Sequence, residues 1–287
     1  MFGEKEQDQS PRIIAVLPVR TGAVRVTGVN CPLNCAHCGG HYLKGMKPLS
    51  EVVAGAARRP RWQSLLVSGA CNPGGEVPLA SHLKELRQLA KSYRLNLHTG
   101  YVADETVAQR LAEVATVFSC DFVGDEATLA EVYGLPYSVH QYLASLKLLQ
   151  RYGRVVPHIC LGLSETRLAS ETHAVRLLVE AGFSEIVFLI FRPTRGTCWA
   201  GKSPPAPEEV AAFLARIRED YPQLWLTLGC MRPGGGYRQE VDSYAVTAGI
   251  NAIVQPAPAA LASAQKQGIE VSTFFECCSF WGGLDAD

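Results

Sequence analysis

The chain has 287 residues, of which 47% are apolar, and its 27 basic and 27 acidic side chains leave no net charge. This length suits a single α/β barrel, and this composition excludes a wholly disordered protein. The basic residues are scattered, so we expect no nucleic-acid partner and no attraction to a membrane surface. The sequence shows no signal-peptide pattern and no apolar run of membrane-spanning length, which predicts a cytoplasmic protein.

Predicted strands and helices alternate after a polar stretch, residues 1–11, that we expect to be a disordered tail. Helical periodicity is clearest in Leu79–Tyr93, Thr166–Ala181 and Pro207–Tyr221. Eight β-branched or aliphatic runs are predicted to be strands: Ala23–Val29, Ser64–Ser68, Leu95–Thr99, Val117–Val123, Val155–Leu161, Glu185–Phe191, Trp225–Leu228 and Ala252–Val254.

Eight alternating units predict an α/β fold, a parallel sheet that closes into a (β/α)8 TIM-type barrel over residues 12–268. The alternative is an open doubly wound sheet, but no G-x-G-x-x-G motif follows the first strand. Residues 269–287 are predicted to be a C-terminal extension of the same single domain. Because α/β barrels carry their functional sites at the C-terminal ends of the strands, the loops that follow the strands should hold the reactive residues.

Three cysteines follow the first predicted strand at a C-x3-C-x2-C spacing: Cys31, Cys35 and Cys38. Three thiolates in one tight loop can ligate three irons of a [4Fe–4S] cluster and leave the fourth iron open. The alternative is a structural zinc site with His37 or His41 as its fourth ligand. Zinc sites often contain paired C-x2-C motifs, whereas this loop contains one such pair, so the spacing favours the cluster.

Four further motifs follow later strands in a fixed order: Ser68–Ala70, Ile159–Glu165, Phe191–Thr197 and Thr247–Ile253. With the cysteine loop, they resemble the radical S-adenosylmethionine (SAM) superfamily, and within it the biotin synthase-related branch. The resemblance implies that SAM binds the open iron and is cleaved to a 5′-deoxyadenosyl radical. It also implies a set of SAM contacts: His37, Gly162 and Glu165 near the adenine, Gly69 and Ala70 at the methionine amino group, Asp121 and Asp125 at the ribose, and Arg192, Thr194 and Arg195 in the loop after the sixth strand.

Cysteines outside this loop suggest a second [4Fe–4S] cluster. An extended run, Ile269–Phe275, precedes the last two cysteines and could carry them up to the C-terminal face of the barrel. The candidate ligands of the second cluster are Cys71, Cys230, Cys277 and Cys278. If one of the four candidates does not bind, Cys198 is a reserve ligand. The alternative to a second cluster is that these thiols are free and that the pair near the C-terminus is incidental.

The positions that would hold the second cluster of a biotin synthase carry Val67, Leu97 and Val156, so biotin formation is not expected. Instead, the segments Cys38–Leu43, Gly229–Pro233 and Glu276–Cys278 resemble one partner of the two-protein lipoyl synthases. This resemblance implies sulfur insertion into an octanoyl chain on a carrier protein, with a second radical SAM protein as partner. It also implies reduced ferredoxin or flavodoxin as the electron donor.

Two other functions remain open from the sequence. One is a radical SAM mutase or cofactor-biosynthesis enzyme that acts on an amino-acid-like substrate, whose polar groups could be bound by His98, His158, Arg232 and Arg238. Arg232 could in particular pair with the carboxylate of the substrate or of SAM. The other is a non-catalytic scaffold that binds zinc or an iron–sulfur cluster.

Overall fold

The computed structural model describes residues 11–55, 61–164 and 168–283. The predicted tail over residues 1–11, apart from Pro11, and the candidate SAM ligand Glu165 lie outside the described residues. In the described part of the chain, no helix is both long enough and apolar enough to cross a bilayer.

The described strands form one parallel sheet in the order β11-β1-β10-β9-β8-β7-β6-β5-β4-β2-β3. They are β1 (Arg12–Val16), β2 (Thr21–Arg25), β3 (Lys47–Pro48), β4 (Ser64–Ser68), β5 (Arg94–His98), β6 (Val117–Asp121), β7 (Val155–Leu161), β8 (Glu185–Ile190), β9 (Trp225–Leu228), β10 (Ala252–Val254) and β11 (Glu270–Phe274). Helices lie between them: α1 (Leu49–Gly55), α2 (Leu83–Ala90), α3 (Glu105–Ala112), α4 (Glu126–Glu131), α5 (Val139–Gln150), α6 (Ala169–Glu180), α7 (Pro207–Asp220), α8 (Gly235–Thr247) and α9 (Pro258–Lys266). The predicted single α/β domain is confirmed as a partial (β/α) barrel.

The sheet differs from a simple ring of eight strands at its two ends. Its β10 pairs with β1, an additional strand that comes before the first predicted one, and β1 in turn pairs with β11. The sequence signal for β1 is the apolar run Ile13–Val16, which is buried along its length. β1 and β2 lie towards opposite ends of the sheet order, and no pairing between them closes the described sheet into a ring.

Alternating side chains of the strands face two different environments, as the two-residue period of a strand requires. On β6, Phe118 packs in the apolar layer between sheet and helices, whereas Val117 packs inside the barrel. Both layers are apolar, and burial of one such large side chain is worth roughly 1.5–3 kcal/mol. The half of the barrel interior at the N-terminal ends of the strands, here called the lower barrel, is therefore an apolar core. The polar side chains Ser119 and Asp121 follow on the same face of β6.

The C-terminal tail enters the barrel at the N-terminal ends of the strands, contrary to our expectation that it would climb to the opposite face. Arg94 at the start of β5 forms an ion pair with Glu276. The backbone N–H of Cys277 donates a 2.8 Å hydrogen bond to Thr21 Oγ1 at the start of β2. Parallel pairing with β1 brings the end of β11 to this level, since Arg20 N–H donates to Phe275 O at 2.9 Å.

The end of the tail forms a short 3-10 helix, Cys278–Gly283, that fills the lower barrel. Trp281 stacks on Trp225 at a ring-centroid distance of 6.1 Å. Phe280 is buried in the apolar group that contains Val117 and the inward side chains of β7 and β8. The interior of the lower barrel thus gains apolar filling from the tail, which explains why the chain turns inward at this end.

Candidate functional site

The cysteine loop lies after β2 and is held by short-range hydrogen bonds. Cys38 N–H donates to Cys35 O at 3.1 Å, and His41 N–H donates to Cys38 O at 2.8 Å. Gly40 has a φ of +69°, and a Cβ at this position would lie 2.8 Å from the Cβ of Cys31. Glycine therefore allows the chain to fold tightly behind Cys31.

A cavity of about 270 Å³ lies between this loop and the C-terminal ends of the strands. Most of its wall is apolar, including Leu66, Val77, Leu135, Leu189 and Met231. The polar part of the wall consists mainly of the three loop cysteines, Cys71, His37, His98, Asp121, Ser68 and three tyrosines. The three loop cysteines, His37 and Asp121 thus surround an otherwise apolar chamber.

The thiols in the cavity wall form two hydrogen-bonded pairs. The bond from Cys71 lowers the pKa of Cys31 to about 5. The bond between Cys35 and Cys38 lowers the pKa of Cys38 and raises that of Cys35. Within the described ranges, no group of three or more His, Cys, Asp or Glu residues is arranged to hold a single metal ion.

His37 is buried in the wall of the cavity, with its ring 5.2 Å from the Tyr133 ring. Burial lowers the pKa of His37, so the imidazole is neutral at neutral pH. Its Nδ1 atom is buried and has no hydrogen-bond partner. A buried polar atom without a partner is costly, so this nitrogen is suited to a hydrogen-bonding group of a ligand.

Asp121 ends β6 inside the cavity, and its Oδ1 lies 3.5 Å from His98 Nε2 at the end of β5. Burial alone would raise the pKa of Asp121, but the hydrogen bond and the charge of His98 outweigh it and lower that pKa. Burial would lower the pKa of His98, and the interactions with Asp121 raise it instead. Burial and then His98 lower the pKa of the adjacent His158 to about 4. The cavity therefore contains an ionised carboxylate beside two histidines.

Other predicted SAM contacts occupy different surroundings. Asp125 is the N-cap of α4, and its carboxylate accepts hydrogen bonds from the backbone and side chain of Thr128 and from Ser170. Its oxygens are thus engaged in a capping role, and Asp125 is not in the cavity wall. Gly69 is in the wall, and the adjoining Ala70 N–H donates to Thr27 Oγ1 at 2.6 Å.

The remaining candidates lie after β7 and β8. Gly162 has a φ of +87°, and its N–H donates a 2.8 Å hydrogen bond to the buried carboxylate of Glu171. Thr194 is buried and donates from Oγ1 to Arg192 O at 3.1 Å, whereas Arg192 and Arg195 are exposed.

Arg232 has a different role from the one we considered. Its Nε lies 2.7 Å from Asp242 Oδ1, and both side chains are fully buried. Asp242 also accepts a hydrogen bond from Ala257 N–H at 2.8 Å. This guanidinium is committed to an internal ion pair and is not available to a substrate or to SAM.

The structure does not bring the four candidate ligands of the second cluster together. Cys71 lies beside Cys31, whereas Cys277 lies in the lower barrel, where its Sγ is 3.5 Å from Asn96 Nδ2. Cys278 forms a hydrogen bond with Cys277 and lies within electrostatic range of Cys230. Cys198 is exposed in the loop after β8.

His98 is a site residue that sequence reasoning named only as a possible contact to an amino-acid-like substrate. Its signal is its position, because it is a polar residue that ends an apolar strand at the functional face. Tyr133 and Tyr142 also line the cavity, but they come from α4–α5 and not from the end of a strand, so strand-end reasoning does not find them.

No family model and no curated protein matches the sequence. Methylornithine synthase (PylB) aligns over 89% of this chain and 84% of its own, with 12% identity and a TM-score of 0.62. The FeFe-hydrogenase maturase HydG from Carboxydothermus hydrogenoformans aligns over 83% of this chain and 59% of its own, with 14% identity and a TM-score of 0.60. SuiB from Streptococcus suis, solved with S-adenosylmethionine bound, aligns over 94% of this chain and 54% of its own, with 12% identity and a TM-score of 0.51. The chain therefore shares the partial (β/α)-barrel fold of these three proteins.

Proposed function

We propose that this protein is a radical SAM enzyme that holds a [4Fe–4S] cluster through Cys31, Cys35 and Cys38. The observation that carries the proposal is that these three thiols line one cavity at the C-terminal ends of the strands, opposite an ionised Asp121. Three thiolates are the donor set for a cluster with one open iron. The unpartnered Nδ1 of His37 and the tight approach of Gly40 to Cys31 fit a loop built around such a group.

A bound cluster with SAM supplies a 5′-deoxyadenosyl radical that removes hydrogen from an unactivated C–H bond. The protein's own residues bind and orient the reactants. Asp121 can accept hydrogen bonds from the ribose hydroxyls, with His98 holding its carboxylate in the charged form. The neutral His37 can pack against the adenine, and the apolar wall excludes water from a reactive centre.

We further propose an aliphatic chain as the substrate, with sulfur insertion into an octanoyl group as the reaction. The apolar walls of the cavity, which include Leu66, Leu189 and Met231, support an alkyl substrate. Cys230, which follows β9, lies within electrostatic range of Cys277 and Cys278, and these three thiols would contribute to a second cluster that supplies sulfur. An octanoylated carrier protein, a second radical SAM protein, and reduced ferredoxin or flavodoxin would be the partners.

One observation favours a second candidate, a mutase or cofactor-biosynthesis enzyme that acts on an amino-acid-like substrate. The Asp121 carboxylate and the His98 and His158 rings lie close together in or next to the cavity, with the two ring centroids 6.2 Å apart. Such a group can bind the ammonium of an amino acid, which an aliphatic chain does not require.

The test begins with anaerobic reconstitution, reduction and addition of SAM. We expect 5′-deoxyadenosine from the wild-type protein and none from a Cys31→Ala/Cys35→Ala/Cys38→Ala variant, whereas Cys198→Ala, which alters an exposed thiol outside the cavity, should retain the activity. Iron-loaded wild-type protein that leaves SAM intact would refute the proposal.

Deuterated substrates separate the two candidates. Transfer of deuterium from an octanoyl-labelled carrier peptide into 5′-deoxyadenosine supports the aliphatic substrate. Transfer from labelled amino acids alone supports the second candidate.

A further inference from the structure

Cys71 lies with the cysteine loop although it belongs to a different segment. It follows β4, and its side chain contacts Cys31 through a hydrogen bond. Cys31, Cys35, Cys38 and Cys71 all line the same cavity. The loop thiols, which were predicted to provide three ligands, thus have a fourth thiol beside them.

The position of Cys71 is fixed by its neighbours in the chain. On one side, Ala70 N–H donates to Thr27 Oγ1 at 2.6 Å, which ties the segment to the end of β2. On the other side, Glu76 N–H donates to Asn72 Oδ1 at 3.1 Å and Gly75 N–H donates to Asn72 O at 2.9 Å. Hydrogen bonds thus hold the segment after β4 on both sides of Cys71, and the thiol of Cys71 lies in the cavity wall.

The loop is also tied to the cavity wall. Tyr137 Oη donates a 3.0 Å hydrogen bond to Gly74 O, and the Tyr137 ring stacks on Tyr101 at 3.9 Å. These contacts join the segment after β4 to the segments after β5 and α4. The position of Cys71 beside Cys31 therefore follows from contacts with three separate parts of the fold.

We propose that the Cys71 thiolate is the fourth ligand of the loop cluster in the SAM-free protein and that SAM displaces it. Four thiolates are the complete ligand set of a [4Fe–4S] cluster, so this arrangement protects the fourth iron from loss. SAM offers an amino and a carboxylate group together, which lets one molecule replace one thiolate. The exchange transfers no electron: the bond from iron to the Cys71 sulfur breaks, the carboxylate and the deprotonated amino group of SAM take its place, and the freed thiolate takes up the proton that the SAM ammonium group loses.

The other cysteines are not alternatives for this position. Cys277 is bonded to Asn96 in the lower barrel, and Cys120 and Cys160 are buried, with Cys120 bonded to Thr99. Among the described cysteines outside the loop, Cys71 therefore differs in lining the cavity together with the loop thiols.

The proposal rests on the proposed function, and its test is spectroscopic so that the two can fail separately. Wild-type, Cys71→Ala, Cys71→Ser and Cys198→Ser proteins are reconstituted with ⁵⁷Fe and studied by Mössbauer spectroscopy, and by electron paramagnetic resonance after reduction. Both measurements are made without SAM and then with it. Circular dichroism confirms that each variant is folded, and the serine variant replaces the alanine variant if the latter is not.

Without SAM, we expect the Cys71 variants to differ from wild type at one iron site and to lose one iron per cluster on mild oxidation. Wild type and Cys198→Ser should keep that iron. With SAM, the spectra of all four proteins should coincide. Identical SAM-free spectra for wild type and the Cys71 variants would overturn the proposal, and so would a wild-type spectrum that SAM does not change. Formation of 5′-deoxyadenosine by the wild-type and Cys198→Ser proteins reports on the proposed function independently, because Cys198 is exposed and lies outside the cavity wall.

Discussion

Asp121 and His98 show how a charge is maintained inside an otherwise apolar chamber. Their side chains are 31% and 29% exposed, and this exposure faces the cavity. Because the pKa of Asp121 is lowered, its charged form stabilises the fold above the ordinary carboxyl pKa, and this contribution is lost as pH falls through the lowered value. His98 sets that window, since it is the partner that outweighs the cost of burial.

Replacing His98 should therefore alter the pH dependence of SAM binding. In His98→Gln the pKa of Asp121 should rise, so binding should be lost at a higher pH than in wild type. The control is His140→Gln, which changes an exposed histidine outside the cavity. The measurement is the dissociation constant of SAM across pH in anaerobic, cluster-loaded protein. An unchanged acid limb in His98→Gln would contradict the assignment.

His158 should make the protein less stable in mild acid. Its pKa is lowered to about 4, so the unfolded chain binds a proton below the ordinary histidine pKa while the folded protein does not. The free energy of unfolding is therefore unaffected by His158 above about pH 6.5, and protonation of this residue in the unfolded chain lowers it by about 2 kcal/mol by pH 5.

In His158→Asn, whose amide can still donate to Val156 O as the ring nitrogen does, this loss should disappear. Urea unfolding at pH 7 and pH 5 gives the two free energies. A drop of equal size in both proteins would show that other groups are responsible.

At the scale of elements, the Arg232–Asp242 pair connects the loop after β9 to α8 and to the end of β10. Arg232 also donates from its guanidinium to Val254 O at 2.8 Å. Removing one member leaves the other charge buried without its partner, which typically costs about 3–5 kcal/mol. We therefore expect Asp242→Asn to be strongly destabilised.

The double variant Arg232→Met/Asp242→Leu tests that explanation, because it removes both charges. It should recover much of the stability lost in Asp242→Asn, as measured by thermal or urea unfolding. If the double variant is no more stable than Asp242→Asn, lost packing and not an unpaired charge is the cause.

The elements also show where sequence patterns are informative. Each of the eight predicted strands overlaps an observed strand, because buried parallel strands produce distinct aliphatic runs. Predicted helix Pro207–Tyr221 corresponds to α7, whereas Leu79–Tyr93 divides into a 3-10 turn, Leu79–His82, and α2. Strand β11 was expected only as an extended run, since its sequence does not encode the parallel partner β1.

For the whole molecule, the location of the C-terminal tail is the feature that sequence reasoning missed. The contacts of Cys277 with Thr21 and Asn96 join residues far apart in the chain, and no local pattern specifies such pairs. The cysteine loop was easier to predict because its three cysteines lie within one short segment. The proximity of Cys71 to Cys31, in contrast, depends on the pairing of β2 with β4 and is not specified by a local pattern.

Truncating the side chain of Trp281 in the C-terminal tail should destabilise the barrel. Trp281 packs against Trp225 and Phe274 in the lower barrel, so Trp281→Ala should cost about 3–5 kcal/mol. Urea unfolding measures this loss, with Leu261→Ala, which truncates an exposed side chain, as the control. Equal stability of the two variants would show that the tail is only loosely held.

The tail also determines how a reactant reaches the chemistry. With Phe280 and Trp281 filling the barrel at the N-terminal ends of the strands, the cavity is a well that is closed at that end. A molecule that reacts there cannot enter or leave through the closed end, and a group attached to a large carrier must enter with its free end leading. The depth of the well then sets how far along such an arm the reactive carbon can lie.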